Sequence, residues 1–463
     1  MAELLADLHL HLYGCIRPDP FLAHLIRVRE EREIDWTEYA ERFEAAFGFV
    51  SPLPEVVERA RAGDPAAPEE FRNLFVFGDE DAGNFARFQA KFSAIVCGSE
   101  MNLLRQGQGS LERAWVEMAG FLGEILHEQA REGIGYSEIR SFLPPDLSST
   151  LYEAALGGLM HEIRGQTLVE SRLAPSLWRE DPWPHWRVLE KMVLAEGGDT
   201  IAAIDFCSVE EGHPPKRKVE FFAAVAEHNR RHPHRALAIL YHVGESFTDK
   251  SMEGAIRWVQ EAAELGVHRL GHAIALGVDP ALYCAEDRSE SAEERLDQIA
   301  YDLKHRAALT QRGVPVDVDD LEAERARLRS APAEAPVVYT YDEVRLAHLR
   351  ARQDFAMERV RETGAVIEVC PTSNRRIGGF SDPAAHPVHR FMAAGLRLVV
   401  ASDDPGIFDM RLADEIRWVA EAVGLDDAGV AALSRGAWDF RSEVLSGRLE
   451  AIEASARADG DSG

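Results

Sequence analysis

The stretch LADLHLHLYG (residues 5–14) opens the chain with an apolar run carrying two histidines, His9 and His11, with one leucine between them. Alternate residues of a β-strand point to the same side, so the two imidazoles share a face. Seven more short, β-rich apolar runs follow: YSEIRSF (136–142), LAPSLW (173–178), TIAAIDF (200–206), ALAILYH (236–242), HRLGHAI (268–274), AVIEVC (365–370) and LRLVVASD (396–403). Between them lie amphipathic helical segments. SLERAWVEMAGFLGEILHEQA (110–130) is apolar at three- and four-residue steps, and MEGAIRWVQEAAELG (252–266) ends on Gly266 as a stop signal. Strands apolar on both faces that alternate with helices predict parallel β/α units. Eight of them fit an α/β fold closed as a (β/α)8 TIM barrel, with the active face at the C-terminal strand ends. An open doubly wound sheet shows the same alternation, but no GxGxxG follows the first strand.

Two segments interrupt the alternation. Residues 17–135 form an extended helical segment after strand one, with a Pro/Ala/Glu-rich patch at 51–70. Residues 281–345 form a charged helical insertion after strand six, in which AEERLDQIAYDLKHRAA and DDLEAERARLR flank RGVPVDV. It reads as a solvated helical hairpin beside the active face, serving as a lid or as a homo-oligomer surface. The whole chain, 1–463, reads as one metal-dependent hydrolase barrel, and its last residues, IEASARADGDSG, read as a frayed tail.

Composition narrows the function. Hydrophobic residues at 46% and charged residues at 28% fit a globular chain with a large core. A net charge of −28 repels nucleic acid and anionic membranes, and the basic clusters are short: Lys216-Arg217-Lys218 and Arg375-Arg376. The expected partners are therefore a small molecule and water, with no nucleic acid and no membrane. The five cysteines are scattered without a CxxC pair, which argues against a cysteine-rich zinc site and for a reducing compartment. No basic region leads into an apolar segment at the N-terminus, and no run reaches the roughly 18 apolar residues of a membrane span. A cytoplasmic location is expected.

An HxH pair alone is a weak sign; partners at other strand ends give it meaning. Strand five ends in YHVGES, with His242 and Glu245; strand six supplies His272 in RLGHAI; strand eight ends in ASDDP, with Asp403 and Asp404. Converging on one rim, these residues fit metal-assisted hydrolysis. Three imidazoles and a carboxylate suit one zinc ion, which acidifies water, and Glu245 is placed to move protons.

HLHLYG, HVGE, GHAI, CPTSN and SDDP, in that order, resemble the motifs of the adenosine deaminase family of amidohydrolases, with further similarity in NFARFQAKF (84–92) and GYSEIR (135–140). The resemblance runs discontinuously from about residue 4 to residue 410. It implies a zinc-dependent hydrolytic deaminase of adenosine or deoxyadenosine that releases ammonia. His9, His11, His242 and Asp403 would be the ligands of one zinc ion per chain. Glu245 would protonate ring N1 of the purine, His272 would position the attacking hydroxide, and Asp404 would bond N7. The His-x-Glu…Cys-x-x-Cys pattern of the other zinc deaminases is absent.

Three departures bear on the substrate. Tyr13 stands where nucleoside-specific members often carry an acid that contacts the ribose. Ser208, in DFCSVEEG, stands near a common glycine whose N–H approaches the purine. Arg375 and Arg376 follow strand seven, where adjacent arginines invite a phosphate. Tyr13, Ser208, Arg375 and Arg376 are therefore the expected substrate-binding residues, and an adenine nucleotide or modified adenosine is the alternative substrate. A barrel hydrolase of another bond and a catalytically degenerate barrel acting as a binding or assembly protein are the competing classes. The second has no need to keep the whole site together.

Overall fold

Eight parallel strands close into a barrel in a computed structural model of the chain, which describes residues 4–284, 287–379 and 382–460. The barrel strands are β1 (Leu5–His11), β2 (Ile134–Phe142), β3 (Glu170–Ser176), β4 (Ala203–Ile204), β5 (Ala238–Val243), β6 (Arg269–His272), β9 (Val366–Val369) and β10 (Arg397–Val400); β7 (Arg288–Ser291) and β8 (Pro336–Tyr339) lie outside it. Regular ladders join β1-β2-β3 and β10-β9-β6-β5-β4. Single bridges complete the ring, from Leu10 to Asp403 and from Leu173 and Ser176 to Ile201 and Asp205.

The eight runs expected from sequence are these eight strands, but TIAAIDF keeps only two residues in regular ladder. The cause lies in its neighbour. Pro175 of β3 accepts a bond from Asp205 N at 3.1 Å but has no N–H to return, so the pairing is broken.

The helices follow local rules. Ser110 caps Leu111–Arg131, its hydroxyl accepting from Arg113 N, and Ala114, Met118, Phe121, Leu122, Ile125 and Leu126 bury one face. Ser251 caps Met252–Glu264 in the same way, and Gly266 beyond it takes φ 91°. In 17–135, six α-helices and one 3-10 turn precede Leu111–Arg131. This excursion folds back onto the active face. Phe77 N bonds Ile407 O at 2.8 Å, and Gly83 N bonds Arg376 O at 2.7 Å.

The insertion differs from the expected solvated hairpin. Its ends, outside residues 285–286, which lie beyond the described residues, are tied by β7 and β8 as an antiparallel ribbon. Its helices Ala292–Lys304 and Val318–Leu328 share the buried Ala292, Ile299 and Leu328. The first covers Met252–Glu264, since Arg257 and Trp258, both fully buried, donate to Glu294 at 2.6 and 3.0 Å. Lys216 and Arg217 pair with Glu293 across the same seam. A polar sequence reads as solvated when its partner is another charged helix far along the chain.

The tail is also corrected. A helix runs from Arg448 to Gly460; residues 461–463 lie outside the described residues. The buried Arg448 donates to Ile201 O at 2.8 Å and Asp199 O at 3.0 Å, which anchors this helix beneath the barrel.

The barrel interior is ionic where most such barrels carry branched apolar layers. Glu138, Arg140, Asp205, Arg269 and Glu368 are each no more than 1% exposed. Arg269 donates to Glu368 at 2.7 Å, to Glu138 at 2.5 Å and to Phe440 O at 2.8 Å. Glu138 also accepts from Ser442 N at 2.6 Å, which pins the C-terminal segment under the strands. Removing one partner of a buried pair leaves an uncompensated charge. Glu138→Ala should therefore lower unfolding stability by about 3–5 kcal/mol, read from the urea midpoint; a shift below about 0.5 kcal/mol contradicts this placement.

Candidate active site

Each functional group arrives on a strand end. His9 and His11 come from β1, His242 from β5, His272 closes β6, and Asp403 follows β10. His272 and Asp403 both take φ 64°, a left-handed backbone that ordinary residues rarely adopt. Such strain concentrates at functional sites, and here it turns two side chains inward past the last ladder bonds.

The donor atoms meet closely. His11 Nε2 lies 3.3 Å from His9 Nε2 and 3.2 Å from His242 Nε2. Asp403 Oδ1 lies 3.3 Å from His9 Nε2 and 3.2 Å from His11 Nε2. Zinc bonds imidazole nitrogen at about 2.0–2.1 Å, so tetrahedral ligands stand about 3.3–3.4 Å apart. The residues present fit the ion.

Carboxylates behind the rings decide which histidines have a lone pair to give. His9 Nδ1 donates to Glu368 Oε2 at 2.9 Å, and His242 Nδ1 faces Asp205 Oδ1 at 3.3 Å. Both Nε2 atoms are thereby left as acceptors. Burial pushes the His242 ring down to about 3, against the pull of Asp205, so it stays neutral. Both Nε2 atoms face His11 Nε2, and a single ring proton there satisfies at most one of them. A cation resolves the remaining repulsion.

His272 Nε2 is also near, within 4.8 Å of the His9, His242 and Asp403 donor atoms. Its role differs. Asn374 Oδ1 accepts from Cys370 N at 3.3 Å, which aims Asn374 Nδ2 at His272 Nδ1 at 2.9 Å. The amide donates, Nδ1 accepts, and the His272 proton sits on Nε2. That N–H faces Glu245 Oε1 at 3.5 Å and Asp403 Oδ2 at 3.9 Å. That tautomer points the His272 proton, not a lone pair, toward the site, although its nitrogen lies close enough to share an ion with His9, His242 and Asp403.

Burial, then the charges of Asp403 and Glu210, hold the Glu245 carboxyl well above the usual range. Glu210 fixes the loop that carries it, accepting from Gly244 N at 3.0 Å and from Glu245 N and Ser246 N at 3.3 Å. Burial and Asp403 push Asp404 to about 8, and its Oδ1 has no protein partner. Asp404 rests against Gly14, where a Cβ would stand 1.5 Å from Oδ1. Gly14 O also accepts from Gly406 N at 2.8 Å, joining the loops after β1 and β10.

The expected substrate residues are dispersed. The Tyr13 hydroxyl is buried without a partner, and burial followed by Glu117 raises it. Ser208 is partly exposed, and its carbonyl accepts from Arg179 Nε at 2.8 Å. Arg376 is engaged away from the four donors: it bonds Asp79 and the carbonyls of Phe77 and Phe408, each at 2.8 Å. Arg375 lies over the Trp418 ring at 5.6 Å. The structure thus brings together His9, His11, His242, His272, Glu245, Asp403 and Asp404. It does not bring the two arginines to them.

Sequence reasoning missed Asp205, Glu210, Glu368 and Asn374. One signal was available. Charged residues inside otherwise apolar runs, as in AVIEVC and YSEIRSF, must find partners within the barrel.

Comparison with known proteins gives a consistent family. The profile of the family described as Adenosine deaminase matches residues 337–441. An adenine deaminase of Rhizobium leguminosarum bv. trifolii is 43% identical over 95 residues, which are 20% of this chain and 30% of that one. The match thus spans about a third of the length of that relative. In fold, the chain is similar to the apo N6-methyl-AMP deaminase of Arabidopsis thaliana at TM-score 0.52 and 14% identity, covering 98% of this chain and 97% of that one. It is also similar to an amidohydrolase of Burkholderia ambifaria solved with bound Zn, at TM-score 0.52 and 16% identity over 99% and 92% of the two chains.

Gly14→Ala should displace Asp404 while leaving the metal ligands in place. The expected outcome is a fall in kcat/KM on the order of 10²-fold with unchanged metal content. Wild-type kinetics in that variant would count against a role for Asp404 in the site.

Proposed function

We infer that this chain, which belongs to the adenosine deaminase family of amidohydrolases, hydrolytically deaminates an unphosphorylated adenine-type purine, the base or its nucleoside. The observation that carries the reading is the meeting of the His9, His11 and His242 Nε2 atoms with Asp403, beside Glu245 and the His272 N–H.

His9, His11, His242 and Asp403 would hold one zinc ion. When bound, zinc would acidify a water into the neutral range and so supply a nucleophile. The other residues handle the substrate. Glu245, kept protonated by burial, donates to the ring nitrogen beside the amino-bearing carbon. His272 Nε2–H donates to the attacking oxygen and orients it. Asp404, its free Oδ1 next to Gly14, bonds the purine N7 from the other side. Water adds to C6, a proton passes to the amino group, the C–N bond breaks and ammonia leaves.

The engagement of Arg376 with Asp79, Phe77 and Phe408 supports an unphosphorylated substrate, because it occupies one of the two adjacent cations that a phosphate would use. The relative named adenine deaminase agrees with this choice. A side-by-side rate comparison of adenine, adenosine, deoxyadenosine, AMP and N6-methyl-AMP tests it; preference for either nucleotide would contradict it. Glu245→Gln should keep its zinc and lose about 10²–10⁴-fold in kcat, measured as ammonia release. Undiminished turnover would contradict its role as proton donor.

A further inference from the structure

We propose that Arg140 is a positioning residue that aims the rings of His9 and His242 at one point, acting through Glu368 and Asp205. The inference rests on the metal-ligand reading above. Arg140 is the last residue of GYSEIR, a stretch the chemistry so far has not used.

The geometry points to it step by step. The two carboxylates that fix the histidine tautomers come from different parts of the barrel, Glu368 from β9 and Asp205 from just beyond β4. Each is fully buried, so two like charges face the site from below. The Arg140 guanidinium lies between them. Its Nη2 donates to Glu368 Oε2 at 2.6 Å and Oε1 at 2.7 Å, and its Nε lies 3.6 Å from Asp205 Oδ1. Arg269 adds a bond to Glu368 Oε1 at 2.7 Å, and Ser176 Oγ adds one to Asp205 Oδ2 at 2.8 Å. Glu368 Oε2 and Asp205 Oδ1, the same atoms that face Arg140, also face His9 and His242. One planar cation thus sets the separation of two carboxylates, and through them the pitch of two rings.

Arg140 Nε and Nη1 find no hydrogen-bond partner, although the residue is fully buried. Its placement follows the two carboxylates, 2.6 Å from one and 3.6 Å from the other, rather than its own hydrogen bonding.

The test is cobalt(II) binding to the metal-free protein, read by chelator competition and by the visible absorption bands, with the unfolding midpoint of the metal-free form as a control. Arg140→Lys keeps the charge but offers one nitrogen, which cannot span both carboxylates. Glu368→Gln keeps the shape and weakens the same link. Each variant is expected to bind cobalt 10–100-fold more weakly, with altered bands, at a midpoint near that of wild type. Wild-type affinity and spectrum in both variants would overturn the inference alone. Failure of both to fold would also overturn it, in favour of a purely structural role. Wild-type protein that takes up no cobalt would overturn both the inference and the functional reading.

Discussion

The structure depends on holding imidazole lone pairs closer together than they would choose to be. His9 and His242 present Nε2 to His11 at 3.3 and 3.2 Å, and Asp403 closes on the same point. Left in water, such rings would turn apart or take up protons. Two things prevent it: a site of the right size for a divalent ion, and carboxylates that grip the far side of two rings. The barrel provides both, because eight strand ends are the one place where residues 9, 242, 272 and 403 become neighbours.

That demand explains the unusual interior. Carboxylates that fix ring orientation must be charged, and charges in a barrel need counter-charges. Arg140 and Arg269 supply them, and Glu138 ties Arg269 to the C-terminal segment. The same chain of contacts that orients His9 therefore reaches the floor of the barrel. Site geometry and fold stability share these residues.

Much of this was legible in the sequence, for identifiable reasons. Strands buried on two faces are short apolar runs, and all eight stood out. The residues at their ends were polar types where the chain leaves the strand, so His9, His11, His242, His272, Asp403 and Asp404 could be read directly. Glu368 and Arg140 were harder, since a charge inside a strand shows that a partner exists without showing which. Asn374 was hidden altogether: its effect on His272 is a choice of tautomer, carried by a 2.9 Å bond between residues 102 apart. The setting of the Arg375-Arg376 pair was hidden for a related reason. Local sequence shows a cation but not its acceptors, and those of Arg376 lie on Phe77, Asp79 and Phe408. The insertion was read as solvated because its apolar residues are few, yet it covers a barrel helix through buried ion pairs.

On this reading tautomer, not proximity, selects the ligands. Anomalous diffraction at the zinc edge from crystals of the purified protein tests this most directly. The expected map has one peak per chain, bonded to Nε2 of His9, His11 and His242 and to Asp403, with His272 Nε2 outside bonding distance. A peak bonded to His272 Nε2 in place of His11, or no peak among these residues, would contradict it.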